Sequence, residues 1–240
     1  MVAYLSFITI LCLVLLLGIC LLLYRGNYLT KALVKLGIKE ATSVPNWSTF
    51  SWINCLEKLD YDADMVFFGD SITRGSDFRA YFPDKRIVNL GCSGDTLSGM
   101  LSRLPMVKAL SPKQIFILGG INGLTDRNID KCILTYSRLL NQLRTDLPHA
   151  QIYVQSILPL SPQKEKSICK NETICTFNQK LHDLANELHL SFIDTHSLYV
   201  KDGCMDPSLT VDGIHLRPEA YGRWAELLRT HIDEQASILS

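Results

Sequence analysis

Four short polar blocks in this chain could act together on a carbonyl group. Gly69-Asp70-Ser71-Ile72-Thr73 follows directly on the apolar run Met65-Val66-Phe67-Phe68. A serine on a tight strand-to-helix turn presents its hydroxyl at the edge of a sheet, and Gly69 permits the turn. Serine is a weak nucleophile near neutral pH and needs a base, for which histidine has a suitable pKa. Asp212-Gly213-Ile214-His215 offers that base. A carboxylate three residues earlier on the same loop can fold back to the ring's other nitrogen and fix its tautomer. Acyl transfer also builds an oxyanion, which requires aimed donors. Gly91-Cys92-Ser93-Gly94-Asp95-Thr96 and Gly119-Gly120-Ile121-Asn122-Gly123 contain candidates in the Gly94 N–H and the Asn122 amide. Taken singly, each block has a plainer reading. Ser71 could cap a helix, Asp212 could cap a turn beside an exposed His215, and Asn122-Gly123 is a strong turn dipeptide.

The elements that would position these blocks alternate. Apolar runs at Met65-Val66-Phe67-Phe68, Ile87-Val88-Asn89-Leu90, Ile115-Phe116-Ile117-Leu118, Ile152-Tyr153-Val154-Gln155 and Ser191-Phe192-Ile193 are too short for helices. Most of their residues are apolar whichever face they point to, as in a parallel strand covered on both sides. Helical periodicity fills the gaps at about 97–110, 129–147, 173–188 and 218–232. The second of these carries Ile129, Ile133, Tyr136, Leu139, Leu140 and Leu143 on one stripe, and Pro218 suits a first helical turn. Alternating strands and helices imply an open parallel sheet with its site at the strands' carboxyl ends. The polar blocks fall there.

Bulk properties narrow the function class. Apolar residues make up 47% of the 240 and charged residues 20%, enough for a core and too ordered a mixture for a disordered chain. Lys plus Arg and Asp plus Glu are 24 each, so no net field draws in a nucleic acid. Neither Cys-x-x-Cys nor His-x-x-x-His occurs, which argues against a zinc site. Cys55, Cys92, Cys132, Cys169, Cys175 and Cys204 could form disulfides in an oxidising compartment or stay free in the interior. Trp47, Trp52 and Trp224 read as packing residues, and the remaining histidines as surface or helix-face residues. Asn46 and Asn171 begin glycosylation sequons, from which nothing is drawn.

Residues 2–24 form an uncharged run dominated by Leu, Ile and Val. About 20 such residues span a bilayer core, and the run lacks a small-residue cleavage site. The expectation is a single-pass anchor over 1–24, a juxtamembrane linker over 25–45 and a catalytic domain over 46–240. Arg25, Lys31, Lys35 and Lys39 follow the span, which by charge bias would hold the domain in the cytoplasm.

The four blocks together resemble those of the SGNH (GDSL-type) hydrolase family, over about 63–224. Their spacing and Ile157-Leu158-Pro159 are similar to the branch that includes platelet-activating-factor acetylhydrolase and carbohydrate O-acetylesterases. The resemblance implies a three-layer α/β/α flavodoxin-like fold with a five-stranded parallel sheet. It implies Ser71 as nucleophile, His215 as base and Asp212 as its partner. The oxyanion hole would comprise the N–H groups of Ser71 and Gly94 and the Asn122 amide, with no metal or organic cofactor. Enzymes of this kind are often exported, which opposes the charge bias and slightly favours an extracytoplasmic domain. One departure is Gly123, which stands where the family's Gly-x-Asn-Asp block has its Asp. A small acyl group on a carbohydrate is the favoured substrate. A lysophospholipid or longer acyl ester is the alternative, and would need a groove lined from Leu97 and Met100. A binding protein of the same fold and a transacylase remain as rival readings.

Overall fold

A computed structural model describes residues 62–239 and, before them, Gly18 alone. Apart from Gly18, the expected anchor and linker, with Trp47, Trp52, Cys55 and the Asn46 sequon, lie outside the described residues. Among those described, no helix is long and apolar enough to cross a membrane.

Five parallel strands form the sheet: β1 (Met65–Gly69), β2 (Ile87–Gly91), β3 (Gln114–Leu118), β4 (Gln151–Gln155) and β5 (Ser191–Ile193), in the order β2-β1-β3-β4-β5. Seven helices connect or follow them: α1 (Ser71–Arg74), α2 (Leu97–Ser102), α3 (Leu104–Lys108), α4 (Ile129–Asp146), α5 (Pro162–Glu165), α6 (Asn171–Glu187) and α7 (Tyr221–Leu239). A small antiparallel ladder, β6 (Val200–Lys201) with β7 (Cys204–Met205), had no signal in the sequence.

Strand side chains alternate between faces, so two cores form. Val66, Phe68, Ile115, Ile117 and Val154 meet Leu139, Leu140, Leu143, Phe177 and Leu181 of α4 and α6. Met65, Phe67, Phe116, Tyr153 and Ile193 meet Trp224, Ala225 and Leu228 of α7. The second core is largely aromatic. Phe78, Phe67, Phe116 and Tyr153 stack in series at 3.7, 5.0 and 4.5 Å, and Trp224 stands edge-on to Phe78 at 5.3 Å. Trp224 is fully buried and donates its indole N–H to Gln155 Oε1 at 2.6 Å, which satisfies both polar groups.

Three boundaries differ from the periodicity. The helix expected over 97–110 breaks at Arg103, because Pro105 has no N–H to continue the ladder. The last helix opens with a 3₁₀ turn at Pro218–Ala220, and α6 begins at Asn171. On α4, Tyr136, Leu139, Leu140 and Leu143 are buried as the stripe predicts, with Ile129 and Ile133 at its edge. Cys92, Cys132, Cys169, Cys175 and Cys204 are all free thiols. The Asn171 sequon is occupied internally: this buried side chain accepts from Leu160 N and donates to Leu160 O, at 2.8 and 2.9 Å.

Candidate active site

β1 lies between β2 and β3, so the connections leaving β1 and β3 diverge and open a crevice at the carboxyl end of the sheet. Four loops meet there. After β1 the chain turns at once into α1. Asp70 caps that helix by accepting from Ile72 N at 2.9 Å, and Ser71 is its first residue. Gly69 cannot be replaced without displacement, since a Cβ would stand 2.1 Å from Leu118 O and 2.3 Å from Thr73 Oγ1.

His215 reaches Ser71 from 144 residues away in the chain. Its Nε2 lies 3.0 Å from Ser71 Oγ, and its Nδ1 lies 2.8 Å from Asp212 Oδ2. Asp212 Oδ1 also accepts from the backbone N–H groups of Ile214 and His215, at 3.1 and 2.9 Å. The loop is closed by Thr210, whose hydroxyl donates to His215 O at 2.7 Å and accepts from Gly213 N at 2.9 Å. Gly213 adopts φ +90°, a conformation that side chains resist, and its absent Cβ leaves room for Ser161 Oγ. Burial by itself would raise the Asp212 carboxyl. The His215 N–H, the His215 ring and the Ile214 N–H outweigh it and hold the group down at about 2, so it is ionised at working pH.

The side chains of His215 and Asp212 are 44% and 41% exposed, so the site is open to solvent. Lys164 Nζ on α5 stands 3.9 Å from Asp212 Oδ2. The Asn122 amide, on the loop after β3, donates to Asp95 O at 3.0 Å and thereby joins the Gly94-Asp95 loop after β2. Gly123 has no side chain with which to hold that loop. Asn128 ties it instead, donating to Gly123 O and accepting from Thr125 N, both at 2.8 Å.

Of the residues expected from the sequence, the fold brings Ser71, His215 and Asp212 into one hydrogen-bonded line and joins the loops of Gly94 and Asn122. Such a line can relay the serine proton to imidazole while a carboxylate fixes the ring's tautomer. Leu97 and Met100 are a correction. Both are buried in the core against the sheet, and Met100 Sδ fills the space beside Gly119, so they line no acyl groove. Arg103 escaped notice in the sequence, where its only signal is a cation inside an apolar helical segment. Asp70 is buried beside the nucleophile. Desolvation pushes its carboxyl up to about 7 against the opposing pull of the Ile72 N–H.

The fold recurs in known proteins. A chain from Streptococcus pneumonia, provisionally assigned as a platelet activating factor, superposes with TM-score 0.72 at 22% identity, over 87% of this chain and 98% of that one. A GDSL-like lipase from Bacteroides thetaiotaomicron gives 0.68 at 20% identity, over 78% and 98%. An acetyl xylan esterase, AlAXEase, gives 0.60 at 17% identity, over 70% and 98%. Among curated sequences, the N-acylneuraminate cytidylyltransferase of Streptococcus agalactiae serotype V is 22% identical over 72% of this chain. The chain spans only 40% of that relative's length. The sequence profile of the GDSL-like lipase/acylhydrolase family matches residues 67–223, and the chain belongs to that ester-hydrolysing family.

Proposed function

We propose that the protein is a serine esterase that removes acetyl or other short acyl groups from a carbohydrate or small molecule. The observation that carries this is the unbroken line Ser71 Oγ, His215 Nε2, His215 Nδ1, Asp212 Oδ2 at 3.0 and 2.8 Å. His215 accepts the Ser71 proton as the hydroxyl attacks the ester carbonyl. The N–H groups of Ser71 and Gly94 and the second amide hydrogen of Asn122 hold the oxyanion, each donor contributing about 3 kcal/mol in the transition state. The alcohol leaves with the proton from His215, and water activated by the same ring releases the acid.

Two features favour a short acyl group on a bulky alcohol. The site is open, with the triad's histidine and aspartate each more than a third exposed. Leu97 and Met100 belong to the core and offer no channel for a long chain. Structural neighbours named as acetyl xylan esterases favour the same substrate class. We further propose that residues 2–24 anchor the enzyme in a membrane, on the strength of their uncharged apolar run. A carbohydrate substrate favours an extracytoplasmic domain and the following cations favour the opposite side. Protease access in intact cells decides between them.

The test is hydrolysis of p-nitrophenyl esters from acetyl to palmitoyl and of acetylated xylo-oligosaccharides, with Ser71→Ala as control. Turnover that falls with chain length and vanishes in the variant is the expected result. A preference for long chains refutes the short-acyl assignment, and turnover that survives Ser71→Ala refutes the mechanism.

A further inference from the structure

Arg103 is 2% exposed, in the break between α2 and α3. Its guanidinium joins the ends of three site-forming segments. Nε and Nη2 donate to Asp95 Oδ2 at 2.8 and 2.5 Å. Nη1 donates to Leu90 O at 2.9 Å, near the end of β2, and Nη2 to Gly69 O at 3.2 Å, at the turn into Ser71. The same group lies over the Phe68 ring at 4.9 Å. Asp95 passes the constraint on. Its Oδ1 accepts from Thr96 N at 3.0 Å, its N–H donates to Cys92 O at 3.1 Å, and its carbonyl accepts the Asn122 amide at 3.0 Å. One buried cation therefore contacts the turn before Ser71, the strand before Gly94, and, through Asp95, Asn122.

We propose that Arg103 is a positioning residue of the oxyanion hole: acting through Asp95, it fixes the Asn122 amide relative to Ser71. The proposal rests on the serine-esterase reading above. Stability alone is a poor reason for this pair, because a buried ion pair seldom outperforms apolar residues of similar volume. Geometry is the better reason. A guanidinium offers five donors in a fixed plane, enough to hold two backbone carbonyls and a carboxylate at once, whereas a lysine ammonium offers three on a flexible stem. The Asp95 carbonyl holds the Asn122 amide itself, while Asn128 ties the backbone beyond it at Gly123.

The experiment is a double-mutant cycle in the full-length chain: wild type, Arg103→Lys, Asn122→Ala and the double variant, with kcat and KM measured on p-nitrophenyl acetate against a Ser71→Ala blank. Arg103→Lys is expected to lower kcat by about tenfold or more with KM nearly unchanged, and in the Asn122→Ala background to lower it by less than about threefold. Asp95→Asn, which keeps the carbonyl and the volume, should follow the same pattern. Equal losses in both backgrounds, or no loss, overturn the proposal. If both Arg103→Lys and Asp95→Asn lose native circular dichroism, the pair is a folding element and the proposal also fails. Wild-type turnover no greater than the Ser71→Ala blank would instead sink the esterase reading itself.

Discussion

Replacing Asp212 by Asn separates the two services its carboxylate performs. An amide oxygen can still accept from Ile214 N and His215 N, now at 3.1 and 2.9 Å, so the loop should hold its shape. The amide nitrogen would then face His215 Nδ1 at 2.8 Å as a donor. Nδ1 must become the acceptor, the proton moves to Nε2, and Nε2 can no longer take the proton of Ser71. This tautomer error should lower kcat by about 10³- to 10⁴-fold. Charge loss acts separately. Two unit charges about 4 Å apart attract by roughly 1 kcal/mol in water and 4 kcal/mol near a protein surface. For a pair this exposed the lower end applies, so the charge loss by itself should weaken stabilisation of the transition-state imidazolium by only about 1 kcal/mol. Asp212→Ala removes the charge without imposing the wrong tautomer, and should retain more activity than Asp212→Asn despite its looser loop. The assay is kcat and kcat/KM on p-nitrophenyl acetate for the three proteins. Asp212→Asn activity within about tenfold of wild type, or an Asp212→Ala variant less active than Asp212→Asn, would refute the reasoning.

Other outcomes follow from neighbouring groups. The Asp70 carboxyl stands at about 7 in the fold against an ordinary 3.8, so the folded state holds a proton that the unfolded chain has released. The resulting stability is complete below about pH 4 and is lost as pH rises through about 7. Asp70→Asn imitates the protonated acid, and its thermal midpoint should fall less than the wild type's between pH 5 and pH 8, by on the order of 5 °C in calorimetry. Gly213→Ala forces a side chain into φ +90° and against Ser161 Oγ. It should cost about 1 kcal/mol or more in urea unfolding and reduce kcat by displacing His215. Asn171→Ala leaves Leu160 N and O unpaired in the interior. It should destabilise by about 2 kcal/mol or more in the same measurement, and mass spectrometry of protein from a glycosylating host should find Asn171 unmodified.

The family and the class of fold were legible in the residue pattern. Ser71, Gly94 and Asn122 follow apolar runs, and a parallel sheet delivers strand ends to one edge whatever the details of its packing, whereas Asp212 and His215 stand on a loop before the last helix and are marked by residue type and spacing alone. Alternating short runs and helical stripes likewise gave the five strands and the buried face of α4, since burial on both faces leaves its mark on composition. Relations between distant segments were not legible, because they arise only on folding. Leu97 and Met100 are as apolar as groove residues would be, and only the sheet behind them makes them core. Arg103 looks like a surface cation until its 2.5 Å contact with Asp95 and its two carbonyl partners are seen. The apparent loss at Gly123 is made good by Asn128 and by the Asp95 carbonyl, through hydrogen bonds that no linear spacing reveals. Residue type records what a side chain can do. Which partner satisfies it depends on which backbone groups the folded chain leaves unpaired nearby, and that is a property of three-dimensional packing.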